Sequence, residues 1–484
     1  MGQTVGQWDL FETEFSGPAD GNPFTDVELE AEFSGPDGRL LTVPGFYDGA
    51  GSYKIRFMPE TEGAWTYTTR SNTAALDGQS GAFACAAPVA GNRGPVRVRD
   101  TFHFAYADGT PYYPFGTTCY AWAHQGDALE EQTLATLATA GFNKMRMCVF
   151  PKDYIFNKNE PEHYPFEKGA DGEWDFSRYD IGFFRHFEKR VAQLDALGIE
   201  ADVILFHPYD RWGYATMPHE RDYAYLRYVV ARLAAYRNVW WSMANEYDFM
   251  LRHKPMPVWD RFFEIVRRND PYGHLRSIHN GRFDDSYDHT KPDVTHACVQ
   301  HWDVKRMRQW RQMYGKPVID DECEYEGNIK RNWGNISDRE LVHRYWISLC
   351  YGGYAGHGET YEHPEDILWW SKGGVLHGGS APRLAFLHRL VRETAGGGIE
   401  PFEGEFPWDR TPAGRGERGS LIYFGEHQPR HFENGFPEEG RFAVDLVDTW
   451  NMTVEELGTF EGKTEVELPG SPYMAVRVRP VADA

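Results

Sequence analysis

From about residue 98 to 395 the chain alternates short apolar runs with amphipathic stretches of helical period, and this alternation restricts the fold more than any other feature. Eight strand candidates stand at 112–119, 144–150, 200–207, 239–246, 276–280, 295–302, 317–323 and 352–358. Helical patterns follow most of them, at 127–140, 179–197, 219–236, 257–268, 302–313, 337–350 and 381–394, and Ser337-Asp338-Arg339-Glu340 reads as a capping box. The connection after the fifth strand reads as short and irregular. Strands separated by helices run parallel, and eight such units over roughly 300 residues fit a closed (β/α)8 TIM barrel. A doubly wound open sheet is the alternative, but no Gly-rich phosphate loop follows any strand.

The flanks have a different period. In residues 1–97, runs such as Val27–Phe33 and Gly51–Phe57 alternate apolar and polar residues with Gly-Pro, Asp-Gly and Pro-Glu turns between them, which predicts an N-terminal β-sandwich. Gly-Asn-Arg-Gly-Pro at 91–95 closes that segment. After Gly396-Gly397-Gly398 the alternation returns, clearest at Glu465–Leu468 and Tyr473–Arg479. Three domains follow: a β-sandwich over 1–97, an α/β barrel over 98–395 and a small sandwich-like β domain over 396–484.

Composition removes several classes of partner. A formal charge of −22 disfavours nucleic acid and anionic membrane surfaces. Aromatic residues make up 15% of the chain, with 16 Trp and 27 Tyr, which suits stacking on sugar rings and equally suits a large core. The six cysteines are scattered without a CxxC pair, so neither a zinc ribbon nor a disulfide framework is expected, and most read as reduced, buried thiols. The N-terminus has no basic and apolar leader, and no run is long enough to span a membrane, so the expected location is cytoplasmic. A homo-oligomer is compatible with all of this. No cofactor or metal motif is present.

Two strand candidates end in carboxylates. Val239-Trp240-Trp241-Ser242-Met243-Ala244-Asn245-Glu246 closes the fourth and Lys316-Pro317-Val318-Ile319-Asp320-Asp321-Glu322 the seventh. A charge at the end of an apolar strand is costly to desolvate unless it has a use. Strands four and seven of eight face each other across a barrel mouth, where an opposed acid and carboxylate can cleave a glycosidic bond. The pattern Asn-Glu at strand four with Lys-Pro-Val-x-x-x-Glu at strand seven resembles the clan A retaining glycoside hydrolases. The whole domain order is similar to uncharacterised relatives of the apiosidase-like glycosidases. The resemblance implies Glu246 as acid/base, Glu322 as nucleophile, Asn245 on the sugar 2-hydroxyl, and Arg146 of Asn-Lys-Met-Arg orienting the nucleophile. Glu322 stands five residues after Pro317, the clan spacing, with Glu324 as the alternative in a crowded acidic run. Strand alternation puts Asp320, Glu322 and Glu324 on one face, with Arg146 as a candidate partner for Asp320.

Further polar and aromatic residues fall at strand ends and are expected to bind substrate: Trp122, His207, His279, His301, Trp302, His357, Glu359 and Trp369, with Tyr120 and Asn280 nearby. His301 is a candidate hydrogen-bond partner for the nucleophile. The strand-eight Trp usual in the clan is absent, and His357, Trp369 or Trp370 is expected to replace it. Long loops at 152–176 and 359–379 suggest a groove walled at one end, hence exo action on small oligosaccharides or glycosides. Two alternatives stand beside this reading. One is a metal-dependent barrel hydrolase using His207, His279, His301, His357 and Glu359. The other is a non-catalytic carbohydrate-binding protein.

Overall fold

The fold is described from a computed structural model that covers residues 3–363, 368–402, 411–433, 435–437 and 439–481. Eight parallel strands form its centre: β1 (Gly116–Thr118), β2 (Lys144–Cys148), β3 (Glu200–Ile204), β4 (Val239–Ser242), β5 (Arg276–Ser277), β6 (Ala297–Val299), β7 (Val318–Asp320) and β8 (Tyr354–His357). They pair in the order β5-β4-β3-β2-β1-β8-β7-β6. The β5/β6 seam is stitched by Arg276 and Thr295, the Thr295 amide donating to the Arg276 carbonyl at 2.9 Å and the Arg276 amide to Thr295 Oγ1 at 2.7 Å. The result is a TIM barrel.

Helices follow each strand but one: α1 (Asp127–Ala140), α2 (Ile181–Ala196), α3 (His219–Leu233), α4 (Met256–Asn269), α5 (Met307–Tyr314), α6 (Asp338–Cys350) and α7 (Ser380–Thr394). Among the described residues no helix lies between β5 and β6, as the irregular sequence there predicts. Local chemistry sets the helix ends. Asp180 caps α2 by accepting the Phe183 amide at 2.7 Å, and Gly141 closes α1 in the left-handed region at φ 82°. Ser337 caps α6 through the Glu340 amide at 3.1 Å, while the Glu340 carboxylate turns to Arg344 instead of completing the box.

The first strand differs from the run expected at 112–119. Pro114 has no amide to give a ladder. Tyr112 instead pairs with Phe104 in a separate three-stranded sheet (Val96–Arg99, His103–Tyr106, Pro111–Tyr112), and the barrel strand begins at Gly116. Phe104, fully buried, packs on Trp240 of β4 and Tyr354 of β8, so this sheet plugs the end of the barrel where the strands begin.

The N-terminal residues form a sheet of five strands and one of three, with Phe33 stacked on Phe57 at 4.0 Å and Phe11 on Phe83 at 4.1 Å between them. This sandwich docks on α2 and α3 through buried ion pairs, Arg56 to Glu188 at 2.8 Å and Asp48 to Arg232 at 2.9 Å. The C-terminal domain is a six-stranded sheet with its own core around Phe442, Val444 and Val476, and it meets α6 where Trp346 stacks on Tyr423. All six cysteines are buried free thiols. Among the described residues no helix is long and apolar enough to cross a membrane.

Candidate active site

The barrel interior is charged toward the strand C-termini. Lys144 and Arg146 alternate inward from β2, two residues apart. Lys144 Nζ lies between Asp202 at 2.8 Å and Asp321 at 2.7 Å. Arg146, 1% exposed, lies one step higher, 3.8 Å from Asp202 and 3.6 Å from Glu322 Oε1.

Glu322 is gripped on Oε1. The Tyr120 hydroxyl donates to it, His279 Nε2 lies 3.2 Å away, and Arg146 supports the tyrosine with a 3.3 Å bond to its hydroxyl. Burial alone would lift this carboxyl. His279, Arg146 and the Tyr120 hydroxyl reverse that and hold it at about 2. His279 is itself fixed: Nδ1 lies 3.2 Å from Cys298 Sγ, and that thiol lies 3.0 Å from Asp321 Oδ2.

Glu246 has the opposite environment. β4 ends at Ser242, and Glu246 turns out of the strand in the left-handed region at φ 54°, uncommon for a residue with a side chain. Burial and then the negative charge of Glu322 push its carboxyl from the ordinary 4.5 up to about 7, with Lys152 and a hydrogen bond from Tyr209 pulling the other way. Its Oε2 and the Oδ1 of the adjacent Asn245 are buried without a hydrogen-bond partner. One carboxylate is thus held ionised, while the other keeps its proton until pH approaches about 7, in reach of each other's charge.

Comparison with known proteins gives the family. The apiosidase-like catalytic domain model matches residues 99–385. Domains of unknown function, DUF5060 and DUF5605, match residues 4–72 and 408–479. A solved structure from Bacteroides vulgatus ATCC 8482, provisionally named a glycoside hydrolase, is 39% identical, with a TM-score of 0.92 over 99% of this chain and 100% of that one. The chain belongs to the apiosidase-like family of glycoside hydrolases. A family 5 glycoside hydrolase from the same organism shares the fold at 17% identity, with a TM-score of 0.60 over 80% of this chain and 94% of that one. No curated protein matches the chain.

In this apiosidase-like barrel the acidic run after β7 separates into distinct roles. The ladder ends at Asp320, so strict alternation stops there. Asp320 does not meet Arg146: its Oδ1 accepts the His301 amide at 3.2 Å, and burial pushes its carboxyl well above the ordinary carboxylate range. Asp321 points inward to Lys144 instead. Glu324, at φ 67°, turns to Arg344 of α6 at 2.9 Å, leaving Glu322 as the carboxylate on Arg146.

Several residues expected at the mouth of the apiosidase-like site have other positions. His301 does not reach Glu322: its Nδ1 accepts the Asp303 amide and its Nε2 lies 2.9 Å from Arg306, and His279 and Tyr120 hold the carboxylate instead. Trp122 is fully buried and donates to the Glu130 carbonyl at 3.2 Å, and Trp369 donates to Thr117 at 2.8 Å. Trp370 stands at the mouth, packed on Tyr120, Tyr154 and Trp333. His357 and Glu359 lie behind the barrel wall, His357 against Phe142 and Glu359 on the amides of His377 and Gly378. His207 bonds the Phe150 carbonyl at 3.0 Å, and burial holds it neutral, at about 3. The five residues of the metal reading therefore do not form one site. Trp302, 53% exposed, stands on the outer rim beside His301 and Phe283.

Two site residues escaped the sequence reading. Lys152, 1% exposed, has its ammonium 3.6 Å from the Tyr120 ring centre, 4.4 Å from Tyr209, 4.8 Å from Tyr154 and 5.6 Å from Trp370. Burial lowers its pKa against the pull of nearby negative groups, Glu246 and Glu322 among them. Tyr209 is the hydrogen-bond partner of Glu246. Both follow a proline directly after a strand end expected from sequence, in Phe150-Pro151-Lys152 and His207-Pro208-Tyr209, and the two loops are joined by the Asp153 amide donating to the Tyr209 carbonyl at 2.9 Å. That shared Pro-plus-polar signature is the signal that was readable.

Proposed function

We propose that the protein is a retaining, exo-acting glycoside hydrolase in which Glu322 attacks the anomeric carbon and Glu246 protonates the glycosidic oxygen. The observation that carries this is the opposed state of the two carboxylates, one held down by His279, Arg146 and Tyr120, the other lifted by burial and by its partner's charge. The Glu322 carboxylate forms a bond to the anomeric carbon as the bond to the leaving oxygen breaks, and that oxygen takes the Glu246 proton. Glu246, now ionised, removes a proton from water as it attacks the glycosyl-enzyme, releasing the sugar and restoring both groups. The unpartnered Asn245 Oδ1 is available to a sugar hydroxyl beside the reacting carbon.

Exo action draws support from an asymmetric mouth. On one side Tyr154, Phe156, Trp333 and Trp370 pack into a wall, with Phe156 and Trp333 at 6.1 Å and Trp333 and Trp370 at 4.9 Å. Part of the loop expected to add to it, residues 364–367, lies outside the described residues. On the other side Phe249, Phe283 and Trp302 are exposed along the loops after β4, β5 and β6, a sequence-tolerant platform for the leaving group. The cytoplasm is the proposed location.

Azide rescue tests the roles. With Glu322→Gly, azide is expected to restore turnover of an activated glycoside and give a glycosyl azide of inverted configuration. With Glu246→Ala it should give the retained product, because Glu322 still attacks first. An inverted azide product from Glu324→Gly, with normal hydrolysis by Glu322→Gly, would overturn the assignment. A panel of nitrophenyl pyranosides and furanosides identifies the sugar.

A further inference from the structure

Behind the catalytic face, between the barrel wall and α7, three buried side chains converge. His357 at the end of β8, Glu359 two residues on, and Glu326 from the loop after β7 each bring a ligand-type atom to within 4.8 Å of the others. His357 and Glu326 are 0% exposed and Glu359 is 1% exposed. Among the described residues no Lys or Arg pairs with either carboxylate, and His357 Nε2 and Glu326 Oε2 are buried without a hydrogen-bond partner. Two carboxylates confined together away from water, with no Lys or Arg and only one imidazole beside them, are disfavoured.

The surroundings hold these groups in place. His357 Nδ1 lies 2.8 Å from Thr117 Oγ1, which also receives Trp369 Nε1–H at 2.8 Å, so the ring is oriented with Nε2 toward the acids. Glu359 accepts the His377 amide at 2.6 Å on one oxygen and the Gly378 amide at 2.8 Å on the other. Ser380 donates to Glu326. Gly378 approaches so closely that a Cβ there would fall 2.3 Å from Glu326 Oε2. His357 Nε2 and Glu326 Oε1 are 3.4 Å apart. Two ligands bonded at about 2.1 Å to one tetrahedral ion lie about 3.4 Å from each other.

We propose that Glu326, His357 and Glu359 bind a divalent transition-metal ion, Zn2+ by the His-carboxylate set, against the expectation from sequence that no metal is held. The ion fastens the loop after β7, four residues beyond Glu322, to the loop after β8 that leads to Trp370, where Glu326 and Glu359 already pair as neighbouring strands. It stands apart from the reaction, and the inference does not depend on the roles given to Glu246 and Glu322. The cluster of Asp127, Glu130 and His186 offers a contrast, since Arg190 and Lys189 already pair with its acids.

The test is elemental analysis of the full chain, purified without an affinity metal or chelator, with a thermal melt. About one equivalent of metal is expected, removal by a strong chelator should lower Tm by several degrees, and Zn2+ or Mn2+ should restore it. His357→Gln should lose the ion and the chelator response, while Asp127→Asn keeps both. Metal below about a tenth of an equivalent in the wild type, with no Tm response to added Zn2+ or Mn2+, overturns the proposal. So does a His357→Gln protein that retains a full equivalent. Should that variant fail to fold, the wild-type measurements decide alone.

Discussion

Replacing Glu322 with Gln removes a negative charge while keeping the shape of the side chain, and it should lower the pKa of Glu246. Glu246 stands at about 7 because of burial and the charge on Glu322, opposed by Lys152 and Tyr209. If the two carboxyls have the retaining separation of about 5.5 Å, an effective dielectric of about 20 gives a repulsion of about 3 kcal/mol. That is enough to move a pKa by about 2. Burial remains in the variant, so Glu246 should fall by about 1 to 2 rather than return fully to its free value. The assay is a 13C titration of labelled glutamate carboxyls, with the Glu246 signal assigned by its loss in Glu246→Gln. The same fall should appear in wild-type enzyme trapped as a glycosyl ester on Glu322, since esterification removes the same charge. In the proposed mechanism, that fall would let Glu246 act as acid in the first step and base in the second. A Glu246 pKa that is unchanged in both forms would refute the charge coupling and, with it, the division of labour between the two groups.

Other expectations follow from the same geometry. Lys152→Met removes the cation that favours ionised Glu246, so the alkaline limb of the pH–rate profile should move upward; a limb that moves down would contradict that role. Tyr120→Phe removes the hydroxyl that donates to Glu322, a hydrogen bond to a charged group worth about 1.5–3 kcal/mol, so kcat/KM should fall about 10- to 100-fold with the melting curve little changed. Glu322 is depressed below its unfolded pKa. Its contribution to stability is therefore present above the ordinary carboxylate range and lost as pH falls toward about 2. Urea midpoints from pH 7 down to 3 should drop more steeply in the wild type than in Glu322→Gln.

The placement of the predicted residues shows how far a linear pattern reaches. Glu246 and Glu322 were readable as strand-end carboxylates because a strand end is a fixed address, set by the β period and the barrel order, while Asn245 and Arg146 came from the resemblance to clan A enzymes. The same rule fails one residue beyond the ladder. Asp320 accepts the His301 amide and Asp321 turns inward to Lys144, because β7 stops at Asp320 and alternation does not continue to Glu322, and Glu324 goes to Arg344 through a left-handed φ that periodicity does not signal.

Side chains on loops were the least legible. Trp369 and Trp370 are identical neighbours in sequence, yet one donates to Thr117 in the interior and the other walls the mouth. His279 and His301 both follow strands, and only contact with Cys298 and Gln300 on one side and Arg306 on the other decides which meets the carboxylate.

The sequence alone indicated the three-part architecture, the barrel and the two acidic strand ends that face each other across its mouth, because apolar period and chain order are written along the chain. Tertiary structure alone decided the charge state of that pair, the cation among four aromatic rings, and the buried meeting of Glu326, His357 and Glu359. Each of these depends on desolvation and on charges brought together from segments far apart in the chain, which no local pattern records.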